Sequence, residues 1–204
     1  LYREEPLLDS ISSAAIRRMN DFTPQGLSNP AWSVATCSFC DAPLLPAIAA
    51  ASLRKLPQFH YQSFSNTAWA YATLAVKNDP LMNAISSAAR AKIQDFNSQS
   101  IANTAWAYAP LCIGDGPLMP SIAAAALAKI PHFGEQNLAN MAWAIASLEL
   151  CDMPLLNAIS SASLRTIQEF AAQGLVNTAW AFAALAVRDG PLLDAISSAA
   201  MPKI

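Results

Sequence analysis

Charge is scarce in this sequence. Only 13% of the 204 residues are charged, with 12 cations against 14 acids and a formal net charge of −2. A general pull toward nucleic acid or an anionic membrane is thereby excluded, and any contact with a polyanion depends on where individual cations sit. Long apolar runs are also missing. None approaches the ~18 residues of a membrane span, the longest being broken at Pro110, and the first residues, LYREEPLLD, lack the apolar stretch of a signal peptide. A soluble, non-membrane-spanning chain is expected. Four cysteines suggest no disulfide framework and fit a reducing compartment. What is plentiful is apolar surface: 54% of the residues are hydrophobic, enough for a substantial core.

That surface is distributed periodically. The five tryptophans, Trp32, Trp69, Trp106, Trp143 and Trp180, recur every 37 residues. The same period carries Phe22, Phe59, Phe96, Phe133 and Phe170, then Gln25, Gln62, Gln99, Gln136 and Gln173, then Asn29, Asn66, Asn103, Asn140 and Asn177. Prolines from Pro6 to Pro191 and isoleucines from Ile11 to Ile196 keep the same step. A fixed period in this range marks a solenoid, because each unit has an apolar face that only its neighbour can cover.

Each unit reads as two helices. Helix A runs over 24–39 in the first full unit, with Leu27, Ala31, Trp32, Ala35 and Phe39 on one broad stripe. Thr23 and Asn97 suit its N-cap. Helix B opens at DAPLLPAIAAASLRKL, where Asp41 caps, Pro43 occupies the tolerant first turn, and Leu44, Ile48 and Leu56 form the buried stripe. Asp115, Asp152 and Asp189 stand where Asp41 does, with Asn78 and Glu4 as substitutes. Small residues such as ISSAA let helices B approach closely, while the indole is expected to wedge between successive pairs, so that Trp106→Ala costs roughly 3–5 kcal/mol. The expected fold is all-α, a right-handed α-solenoid of 37-residue helix-turn-helix repeats, five full repeats after a leading helix. Residues 1–204 form one array, and the lack of polar capping repeats suggests a piece of a longer one.

The motif Q-x-L-x-N-T-A-W-A-x-A-x-L on helix A, as in QSFSNTAWAYATL from Gln62, resembles the octotricopeptide and heptatricopeptide repeat families of organellar proteins, over essentially the whole chain. The resemblance implies binding of single-stranded RNA, roughly one base per repeat, in a chloroplast or mitochondrion, for transcript stabilisation, processing or translation. It implies no cofactor, no metal and no small-molecule substrate. By analogy with other helix-pair solenoids, helix A lines the concave surface. The variable positions Ser63, Thr67, Ser100, Thr104, Asn137, Met141 and Thr178 then become candidates for base contact. The alternative is a solvated helix face. Phosphate candidates cluster in the last turns of helix B: Arg17, Arg18, Arg54, Lys55, Arg90, Lys92, Lys129 and Arg165, with Lys203 in line. Cations there also complement the helix dipole, so a purely structural role is open.

The unvarying Gln and Asn rows cannot read a sequence. They fit hydrogen bonds between units or to the opening turn of helix A, or a uniform contact to ribose or phosphate. No aromatic is expected to escape the core and stack on bases. Cys37 and Cys40 form a lone C-x-x-C without further ligands, and His60 and His132 lack catalytic partners, so no enzymatic site is read. The second functional reading is a protein-interaction scaffold or structural subunit of a large organellar complex, such as a ribosome or membrane assembly. Low charge and near-identical units favour it.

Overall fold

Helix B begins wherever a short polar side chain can hold its first turn. Asp41 accepts from the Leu44 amide at 2.9 Å, Asn78 from Leu81 at 3.1 Å, Asp152 from Leu155 at 3.0 Å and Asp189 from Leu192 at 3.0 Å. Thr23 and Asn97 do the same for helix A through the Gly26 and Ser100 amides. These are the caps expected from residue type. The computed structural model describes residues 5–111, 113 and 116–203, the side chains of Glu5 and Lys203 excepted. The caps expected at Glu4 and Asp115 and the cation at Lys203 lie outside the described residues.

Eleven α-helices and no strand occur among the described residues. The leading helix is α1 (Glu5–Arg17). Helices A are α2 (Pro24–Thr36), α4 (Tyr61–Thr73), α6 (Ser98–Tyr108), α8 (Glu135–Ser147) and α10 (Ala172–Ala184). Helices B are α3 (Leu44–Lys55), α5 (Asp79–Lys92), α7 (Leu118–Lys129), α9 (Met153–Thr166) and α11 (Gly190–Ala200), each running into a single 3-10 turn. Helix A stops short of the expected residue 39 because it closes in a Schellman turn. Phe39 donates to Val34 C=O at 2.8 Å and Ser38 to Ala35 C=O at 3.0 Å, with Ser38 at φ +52°. The same turn recurs at Ala75, Glu149 and Ala186.

Helices A pack chiefly on the helices A of neighbouring units, and helices B pack on their own helix A and on the helices B either side, as a solenoid requires. Leu27, Ile48, Phe59, Leu81, Phe96, Leu138, Ile159 and Phe170 fill the space between the two layers and are fully or almost fully buried. Neighbouring helices A approach far more closely than neighbouring helices B. Residues with little side-chain bulk make that possible: Ser65 Oγ lies 3.4 Å from Ser100 Oγ, and a methyl added at Gly174 would sit 3.6 Å from Ala139 Cβ. A double layer curves toward its tighter side, so helix A lines the concave surface.

Candidate binding face

Gln25, Asn29 and Trp32 are spaced i, i+4 and i+7, so they fall in one line along helix A. That line is the exposed concave stripe of every unit. All five Gln are exposed, and the Asn are exposed or half-buried. The indoles stack edge over edge along the array, with centroids 6.4, 6.4, 5.9 and 6.4 Å apart and successive planes tilted by 31–33°. Trp32 and Trp180, at the two ends, are each 46% exposed, and the three between them are half-buried. A groove of about 370 Å³ joins Trp69, Trp106, Gln136, Asn140, Gln173 and Asn177. The groove is therefore apolar along one line and amide-bearing along two, with the Glu135 carboxylate also in its lining.

Two expectations change here. The indole does not wedge between pairs inside the core; it is covered by the next indole and keeps one side in water. Trp106→Ala should accordingly cost about 2–3 kcal/mol rather than a full core value. Nor do the Gln and Asn rows hold units together. Among the described residues, none of these side chains is hydrogen-bonded to another unit or to the opening turn of its own helix. Ten amides thus remain open to a ligand.

The small polar positions lie on the other side of helix A. Ser63, Thr67, Ser100, Thr104, Met141 and Thr178 are buried in the seam between neighbouring helices A. Thr104 and Thr178 return their hydroxyls to the carbonyls of Ser100 and Gly174 at 2.7 and 2.8 Å. The expectation that these six face a ligand is corrected by the packing: close A–A approach needs small side chains, which the five Ser and Thr supply, while Met141 is buried as core. Asn137 alone of the set remains half-exposed, on a shallow cleft shared with Gln99 and Gln136.

The cations divide likewise. Lys55 Nζ donates to the carbonyls of Asn20 and Phe22 at 2.7 and 2.5 Å. Lys92 reaches those of Pro57 and Phe59 at 2.8 and 3.0 Å, and Lys129 those of Gln94 and Phe96 at 2.6 and 2.5 Å. Each ammonium therefore staples its helix B to the 3-10 turn of the preceding unit, satisfying carbonyls that the turn leaves open. These three are structural ties, and the expected basic ridge loses them. Arg54 donates to Asn20 Oδ1 at 2.7 Å, Arg18 pairs with Asp21 at 3.7 Å, and Arg165 bonds the Ser161 carbonyl at 3.1 Å. Arg17 and Arg90 are exposed and have no partner among the described residues. Because helix B runs directly into the turn that opens the next helix A, these guanidiniums share an edge of the array with the Gln row.

No other chemistry gathers. Cys37, Cys40 and Cys151 are exposed free thiols. No group of three or more His, Cys, Asp or Glu close enough for a metal occurs among the described residues. His60 lies against the Tyr61 ring at 3.8 Å. Among the described residues no helix is long and apolar enough to cross a membrane.

The amide and indole stripe was legible as an i, i+4, i+7 line, but a large ring suggests core unless the neighbour's ring is known to cover it. Comparison with known proteins fixes the lineage that repeat shape alone had misplaced. No curated protein matches the chain. Residues 2–203, nearly its whole length, match the family described as RNA-editing substrate-binding complex 6 protein, which overturns the octotricopeptide and heptatricopeptide assignment drawn from the repeat motif. The chain belongs to the RNA-editing substrate-binding complex 6 protein family.

Proposed function

We propose that the chain is a non-catalytic subunit of an RNA-editing assembly that holds single-stranded RNA along its concave groove. Bases lie across the Gln–Asn–Trp stripe and the backbone follows the edge that carries Arg17, Arg90 and Arg165. The observation that carries this is the unbroken indole ladder flanked by open amides. Amides donate to and accept from base edges and ribose hydroxyls, and half-exposed indoles offer stacking surface to any base. Every unit presents the same three groups, so the grip is tolerant of sequence. The family name supports RNA as the substrate held, and an editing assembly fits an organellar address, the mitochondrion rather than the chloroplast.

The experiment is a titration of the protein with oligouridylate, read by tryptophan fluorescence at several salt concentrations. Quenching that saturates is expected, with a log–log salt slope of about −2 or shallower, since three guanidiniums, one of them already bonded to a carbonyl, neutralise few phosphates. Replacing Asn103 and Asn140 by Ala should weaken binding about tenfold or more with little change in stability. Unquenched indoles, or affinity indifferent to both amides, would remove RNA from the groove. The scaffold reading has its own support in the three lysines committed to carbonyls, because a groove with few charges suits a protein segment as well. Saturable binding of an extended peptide in place of RNA would select it.

A further inference from the structure

One repeat position, near the end of helix A, is Val34, Tyr71, Tyr108, Ile145 and Phe182 in successive units. In the second and third units the ring is fully buried, and its hydroxyl donates to a carbonyl in the first turn of the preceding helix B. Tyr71 reaches Leu45 at 2.5 Å and Tyr108 reaches Met82 at 2.7 Å. In the fourth unit the corresponding carbonyl is that of Met119, and Ile145 brings neither ring nor hydroxyl to it. The space stays open. A cleft of about 560 Å³ lies there, lined by Met119, Ile122, Met141, Ile145, Met153 and Leu155. A smaller one, about 360 Å³ and bordered by Ile16, Phe39 and Asp41, lies between α1 and the start of helix B in the first unit, without Val34 in its lining.

The polar groups of the larger cleft are acceptors, apart from the Cys151 thiol at its rim. Besides the Met119 carbonyl there is Asp152, one of whose oxygens caps α9 through the Leu155 amide. The second oxygen of Asp189 takes a hydroxyl from Ser160 of the preceding helix B at 2.5 Å, but the helix B that precedes Asp152 has Ala123 where that serine would stand. Asp152 therefore keeps an oxygen free for a donor. A nucleic-acid base is a poor guest here, because its own acceptors would be left unpaired against apolar walls. A phenol, one donor on an apolar ring, matches. The volume is several times that of one ring and falls in the range of ligand pockets, ~300–1,000 Å³, so a ring and the segment bearing it fit together. Met153, 43% exposed, and Cys151 give the cleft an open apolar rim. Three methionines in the wall allow it to adapt.

We propose that this cleft is a socket for a tyrosine side chain of a partner protein, supplying in trans the ring and hydroxyl that Tyr71 and Tyr108 supply within the chain. Buried tyrosines in such pockets commonly dominate the energy of an interface. The socket is separate from the concave groove and stands whether or not RNA occupies that groove.

The test uses p-cresol, the tyrosine side chain as a free molecule, with the methionines as reporters. In methyl-labelled protein p-cresol shifts the resonances of Met119, Met141 and Met153 saturably and leaves those of Met19, Met82 and Met201 in place. Ile145→Tyr fills the socket from within, so it raises Tm and weakens p-cresol binding at least about tenfold. Should that variant not fold, Ile145→Phe replaces it, Phe182 being the precedent for a ring at this position. In the native assembly, the chain with the filled socket loses a subunit that the unaltered chain retains. Shifts spread over all six methionines, or affinity unchanged by the filling, overturn the socket. Specific p-cresol binding with unchanged subunit composition overturns the partner tyrosine.

Discussion

Residues 44–130 and residues 135–203 obey the same repeat, yet they are fastened differently. The first stretch is cross-tied by Lys55, Lys92 and Lys129, each holding two carbonyls of the preceding turn, and by Tyr71 and Tyr108, each tying helix A to the helix B before it. In the second stretch Thr166 stands where the next lysine would be and turns its hydroxyl back to Ala162, and the side chain of Lys203, at the same position one unit on, lies outside the described residues. Ile145 and Phe182 stand where the tyrosines would be. Shape survives because a one-dimensional array sums local terms, and apolar burial between layers is common to both stretches. What the second stretch gives up in ties it gains in open surface, the socket beside Ile145 above all.

Transplanting the looser residue into the tighter stretch is the most severe way to break this contrast. Tyr108→Ile removes a buried ring and leaves the Met82 carbonyl without its second partner, and should cost about 3 kcal/mol in denaturant unfolding. A loss below about 1 kcal/mol would mean that the tyrosine ties contribute no more than generic packing. Next comes the staple. Lys92→Met keeps the methylenes and removes two charge-assisted bonds, for an expected loss of about 2 kcal/mol. The reverse change, Thr166→Lys, should slow amide exchange in α9 and gain about 1 kcal/mol; no gain there would show that the turn at Ile130–His132 cannot accept a staple.

Alkaline pH separates the two stretches without mutation. Burial pushes the Tyr71 phenol well above its ordinary value of about 10, a hydrogen bond from the Ala49 backbone offsetting this only in part. In the unfolded chain the phenol ionises near 10, whereas in the fold it stays neutral. Stability from this group is therefore complete below pH 10 and falls as pH rises beyond it, by about 1.4 kcal/mol per pH unit. Hydrogen exchange at pH 11 should expose α3 and α4 first and spare α10 and α11, whose stretch contains no tyrosine. Tyr71→Phe should narrow the difference, with Tyr108 left as a second buried phenol in the first stretch.

The sequence announces the units themselves with little ambiguity, because cap residues act locally: Asp41, Asn78, Asp152 and Asp189 each bond an amide three residues on, whatever the rest of the chain does. Faces are harder to read. Whether Trp69 is core or surface depends on Trp32 and Trp106 covering it, a relation between units that a wheel drawn for one helix does not contain. Lys92 poses the same difficulty, since its partners Pro57 and Phe59 lie 35 and 33 residues away and only the stacking register brings them near. Lineage is hardest of all. Many repeat families converge on helix pairs of similar length, so the motif that identified the architecture could not identify the family.

The smallest effect tests the premise that local terms add. Ser52 and Ser163 occupy one repeat position, three units apart, and both bury a hydroxyl that has no hydrogen-bond partner. Ala89 and Ala126 fill that position in the units between them. Ser52→Ala in the tied stretch and Ser163→Ala in the loose one should each gain about 0.5 kcal/mol, by removing an unsatisfied hydroxyl and improving helix propensity. The double variant should then gain about 1 kcal/mol, since sites this distant share no neighbours. A double gain clearly different from the sum would show that the two stretches communicate along the array, and the ties of the first would then bear on the openness of the second.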